Sequence, residues 1–174
     1  MRSFRRFWII SLTVVAAFIV SCSVVAFISD RPPKEEKILR DFRAHRASYE
    51  RVRMMLSEDK SVEGVAPWGI QLDSSPVWKI PPDGGMPVNR YQDYLALLKQ
   101  IGASRVGQEG NPPEVSFGVW GSGFGGDTRH VEVLWLEHEP LNTVSSLDAF
   151  YRTDKPRHPA YVHIDGNWYI WADW

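Results

Sequence analysis

A single cysteine, Cys22, serves a chain of 174 residues, and it lies inside an uncharged run. A disulfide needs two, so whatever folds after that run is held by its core and not by cross-links. Clustered charge is missing as well. The chain carries 20 Lys and Arg against 21 Asp and Glu. Neutralising a phosphate backbone takes grouped basic side chains, so nucleic acid is set aside as a partner. No internal repeat and no low-complexity tract occurs. Removing the first 33 of the 174 residues leaves 141, the size of one ordinary domain. That excludes a multidomain machine and a polytopic transporter.

Phe7–Ile28 is the one long apolar run. At about 1.5 Å per helical residue it is long enough to cross a bilayer. Arg2, Arg5 and Arg6 precede it, so residues 1–6 form a basic cytoplasmic stub and the chain after the span lies outside. Residues 29–33 are a linker ending in Pro32-Pro33, and residues 34–174 form a single extracytoplasmic domain, periplasmic if the membrane is a bacterial inner membrane. Three fates fit the run: a retained transmembrane signal anchor, a signal peptide cut after Val24-Val25-Ala26, or a lipoprotein signal. For the last, Ile19-Val20-Ser21-Cys22 resembles the bacterial lipobox, which would make Cys22 the lipidated residue. The apolar run continues past Cys22, where a lipoprotein has a polar tether, and this favours the anchor.

Ile38, Phe42, His45, Tyr49, Val52 and Leu56 recur in steps of four and three. They predict a helix over 35–58 with one apolar stripe, lying on the domain's own sheet or pairing with a second copy as a short coiled coil. Gly64–Leu72 and Val77–Ile80 predict strands, and Pro81–Pro87 a loop. Asn89 is the expected cap of a second helix, with Tyr91, Tyr94, Leu95, Leu98 and Ile101 as its apolar face and Gly102 as its stop. Val115–Val119 and Val131–Leu136 alternate as strands. Ser145–Arg152 fits a short helix or a strand. Tyr161–Ile164 and Trp168–Trp171 flank Asp165-Gly166-Asn167, a hairpin signal. The expected fold is α+β: an N-terminal membrane helix, then a mostly antiparallel sheet with two main helices on one face and a C-terminal β-hairpin.

Gly121, Gly123 and Gly126 match the dinucleotide spacing G-x-G-x-x-G. That motif needs a following helix to meet the pyrophosphate. Val131–Leu136 alternates as a strand instead, so no nucleotide and no other cofactor is implied. Residues 121–130 then predict a glycine-rich loop with Asp127, Arg129 and His130 at its exit. The histidines, including His138, His158 and His163, have no spacing that would put two metal ligands on one helix face. No Ser/His/Asp or Cys/His pattern is present.

Asn167 to Trp174 holds four aromatics, with Trp168 and Ile170 on one face of a strand and Tyr169 and Trp171 on the other. Exposed, such a row would stack on cell-wall sugars or form a protein interface. The leading expectation is a membrane-anchored, non-catalytic binding module of the cell envelope, with Phe124, Trp168, Tyr169 and Trp171 as binding candidates and a protein or cell-wall polymer as partner. A second is an envelope hydrolase with Asp127, Arg129 and His130 as its catalytic candidates. A third is a structural protein dimerising through helix 35–58.

Overall fold

The computed structural model describes residues 31–73, 75–110, 113–124, 127–153 and 158–173. The predicted span 7–28, the stub before it and Cys22 lie outside the described residues. Among those described, no helix is long and apolar enough to cross a membrane. The chain divides into two units, Met1–Pro32 and Pro33–Trp174. The second holds every helix and strand among the described residues.

The steps of four and three do form one helix, α1 (Glu35–Glu58), and its stripe is buried: Ile38, Phe42, Tyr49, Val52, Met55 and Leu56. The helix kinks at His45, where the backbone turns to φ −122° and ψ 18°. Phe42 before the kink and Tyr49 after it both meet the Trp168 ring, at centroid distances of 5.3 and 5.8 Å. A coiled-coil seam would need the same side chains, and they are committed to the chain's own core. The second helix, α2 (Val88–Ile101), stops at Gly102, whose φ of 70° is the left-handed turn expected of it. Its cap differs from expectation. Asn89 lies inside the helix, and Pro87 precedes it without a side-chain cap. Proline's fixed φ suits a helix entry, and that outweighs the capping pattern here.

Seven strands form one antiparallel sheet: β1 (Val62–Ala66), β2 (Gly69–Leu72), β3 (Arg105–Glu109), β4 (Glu114–Phe124), β5 (Asp127–Trp135), β6 (Ala160–Asp165) and β7 (Trp168–Asp173). Their spatial order is β2-β1-β3-β4-β5-β7-β6. Pro67 and Trp68 split the single strand expected over Gly64–Leu72 into a hairpin. Val77–Ile80 contributes only a bridge between Lys79 and Ile70. The short helix α3 (Leu147–Thr153) resolves the ambiguity over Ser145–Arg152. Both outer strands are shielded by single bridges, Ile70 to Lys79 on one side and Thr143 to Tyr161 on the other, which blunts two edges open to pairing.

Residues from both long helices and the inward side of every strand share one core, with Trp168, Tyr94, Phe42 and Phe117 its largest fully buried members. Polar clamps fix the helices. Arg90 on α2 donates to Asp59, Glu58 and the Met55 carbonyl at the end of α1, which supplies the cation that α1's last turn lacks. Tyr94 donates to Asp59 as well, at 2.8 Å. At the other end the Glu35 carboxylate accepts from the Ser146 hydroxyl and the Leu147 amide at 2.9 and 2.8 Å. It thereby caps α3 from a distant part of the chain.

Candidate functional site

The helices cover one face of the sheet, and the other face carries a groove of about 600 Å³. Its form follows from strand register. One row across this face runs Gly64, Gly107, Ser116, Leu134, Tyr169. The next runs Arg105, Gly118, Glu132, Trp171, Tyr161. In the first row Gly64, Gly107 and Ser116 are small and the residues on β5 and β7 are large, so that row is hollow above β1, β3 and β4.

Trp78 walls the groove on the β1 side. Its indole lies over Gly64 so closely that a Cβ there would sit 3.0 Å from the ring. On the far side stand Tyr161 and Trp171, half-buried, packed on a second apolar cluster of Leu134, Leu136 and Tyr169. Gly107 on the floor is different from Gly64. A Cβ at Gly107 would meet nothing closer than 3.4 Å, and its φ is not among the positive ones. Neither crowding nor backbone conformation requires glycine there.

The charged groups are mostly acidic. Glu63, Glu109, Glu114 and Glu132 line the groove with Arg105 and His130. Glu109 and Glu114 face each other directly across β3 and β4, an unfavourable like-charge pair. Glu132 is the buried charge among them, with its side chain 9% exposed. Arg105 reaches over Gly118 and donates to its Oε1 at 2.7 Å. Burial, and then the charge of Glu114, raise the Tyr161 phenol above its ordinary value, so at neutral pH it keeps its proton as a hydrogen-bond donor.

The residues singled out in the sequence separate in the fold. The stretch 121–130 is strand on both sides and not the loop expected. Gly121 pairs with His130, Ser122 with Arg129 and Gly123 with Thr128, extending the β4–β5 hairpin to Phe124 and Asp127. Glycine's poor strand propensity suggested otherwise, but each of these positions has a ladder partner on the neighbouring strand. Within this ladder Arg129 and His130 fall on opposite faces. His130 lines the groove and Arg129 is exposed outside it. The side chains of Phe124 and Asp127 lie outside the described residues.

Of the aromatic candidates, Trp168 is a core residue at 1% exposure, donating from its indole N–H to Glu50 at 2.9 Å. Tyr169 is buried beneath the groove's wall, and Trp171 forms the wall itself. His163 stays apart, donating to the Gly166 carbonyl at its own hairpin turn. Among the described residues no group of three His, Cys, Asp or Glu could hold a metal ion. Trp78, Arg105, Gly107, Glu132 and Tyr161 belong to the site without any motif to mark them. Alternation would have placed Glu132 and Leu134 together on one face. Only register shows that β3's glycine shares their face of the sheet, one strand away across β4. No family model, curated protein or solved structure matches the chain.

Proposed function

We propose that this chain is a membrane-tethered, extracytoplasmic binding module whose ligand lies in the groove on the open face of the sheet. The membrane part of the reading rests on the uncharged run Phe7–Ile28 and the arginines before it. The binding part rests on Gly107. Glycine in the interior of a central strand weakens the sheet, yet at this position it has ordinary backbone, and an added Cβ would meet its neighbours only at ordinary contact distance, 3.4 Å or more. Its effect is to keep the groove deep. A volume of about 600 Å³ falls within the range of small-ligand sites, enough for a short segment of an extended partner. Flat aromatic walls and fixed polar groups supply contact area and orientation.

Binding is favoured over hydrolysis by the separation of the expected catalytic groups, since Arg129 and His130 lie on opposite faces of β5. The test is an array of immobilised peptides and envelope glycans probed with the full chain, as wild type, Gly107→Val and Trp171→Ala. Both variants should stay folded and lose whatever the wild type retains, because one fills the floor and the other removes a wall. A Gly107→Val protein that binds as well as wild type defeats the proposal. So does a folded wild type that binds nothing on the array.

A further inference from the structure

We infer that the groove selects an alkylammonium group, a primary amine carried on a flexible chain. The inference rests on the binding reading above and adds the chemistry of the ligand. Three observations meet here. The deepest polar group is the Glu132 carboxylate, more than nine-tenths buried. Arg105 occupies its Oε1, and among the described residues no donor reaches Oε2. A buried carboxylate oxygen without a donor is costly, and this one belongs to a side chain that lines the open groove. A ligand N–H would satisfy it.

The surroundings choose the sign of that donor. Glu63, Glu109 and Glu114 line the same groove, and no second Lys or Arg joins Arg105 among its lining residues. With Arg105 matched by Glu132, three carboxylates are left facing the space. Glu109 and Glu114 repel each other across the strands, an arrangement that a bound cation relieves. Trp78, Tyr161 and Trp171 present aromatic surface on both sides, and ring faces attract cations while packing against methylenes. An ammonium has three N–H donors and a methylene stem, which matches a carboxylate floor between aromatic walls. An anion would meet the same field as repulsion.

Two sources carry this chemistry: a lysine side chain in a peptide and a free polyamine. Calorimetric titration of the detergent-solubilised full chain with tri-lysine and with spermidine tests both. Tri-lysine acetylated at Nα and at every Nε, and magnesium chloride at matched ionic strength, are the controls. The expected result is saturable binding of at least one amine, weakened by salt as exposed charge pairs are, with neither control competing. Glu132→Gln should weaken it about tenfold or more, the scale of a hydrogen bond to a charged group. Should Glu132→Gln fail to fold, Glu114→Gln serves, because its site is exposed; a several-fold weakening with a shallower salt dependence is then expected. Tri-lysine binding alone identifies a peptide source and spermidine alone a polyamine.

Binding by the acetylated peptide, equal competition by magnesium, or full affinity in both variants overturns the inference. The peptide and glycan array separates its failure from that of the broader reading. If the groove retains a neutral or anionic ligand there and ignores amines, only the ammonium assignment falls. If it retains nothing and ignores amines, both fall.

Discussion

The Trp168 indole is enclosed by Phe42, Tyr49 and Phe117, with centroids 5.3 to 5.8 Å away. Its one polar atom donates to Glu50. That carboxylate also accepts from Arg53 at 3.0 Å, and the Arg53 guanidinium lies 4.7 Å from the Trp135 ring centre. Burial alone would raise the Glu50 carboxyl, but the hydrogen bonds from Trp168 and Arg53 outweigh it and hold it below its ordinary value. A carboxyl lowered by folding adds stability above its unfolded value of 4.5, and that stability is lost as pH falls through the folded value. The stability gap between wild type and Glu50→Gln, read from urea melts, should therefore be larger at pH 7 than at pH 3. Trp168→Phe should cost about 1–3 kcal/mol, since it strands a partly buried acceptor, and should lower the urea midpoint with little change in slope. At this scale the sequence pairs Trp168 with Ile170 and Tyr169 with Trp171 but cannot say which pair points inward. Both faces are equally apolar, and the choice depends on the helix that packs above.

At the level of elements, legibility followed periodicity. The α1 and α2 stripes and the C-terminal hairpin carry strong patterns and form as expected. The β3 strand escaped because Arg105–Glu109 offers one apolar residue, Val106, buried under the helices. Arg105, Gly107 and Glu109 share the groove face, and the inward partner of Val106 is the polar Gln108, which donates to the Val62 carbonyl, so the apolar alternation that would mark a strand is missing. The glycines of β4 hid a long hairpin in the same way. Capping between distant elements cannot be read from sequence at all. Glu35 looks like an ordinary first-turn acid, yet its carboxylate closes the start of α3 more than a hundred residues away. Glu35→Ala should cost about 1 kcal/mol, the usual effect of losing a cap. A double-mutant cycle with Ser146→Ala should show coupling, because the two groups share one hydrogen bond. Independent, additive effects would mean that the cap contributes nothing beyond its separate parts.

The whole molecule sets one face of its sheet against the other. The helix-covered face is built for stability, with Val65, Val106, Phe117, Val133 and Ile170 all at 0% exposure. The groove face breaks the rules that the first one keeps: glycine in a central strand, like charges in register, a buried carboxylate half satisfied. Sites of this kind are where stability is given up for function. Gly107 is the sharpest case. Valine suits a pleated strand, glycine loses about 0.5–1 kcal/mol to alanine there, and space for the first added carbon exists. Gly107→Val should therefore raise the stability of the domain by about 0.5–1 kcal/mol while removing ligand binding. Gly64→Val should do the reverse to the fold, because its side chain would enter the space of the Trp78 ring. Paired thermal melts of the two variants decide the matter. If Gly107→Val melts below wild type, the glycine is structural after all, and the open floor of the groove is a by-product of packing rather than a place kept for a ligand.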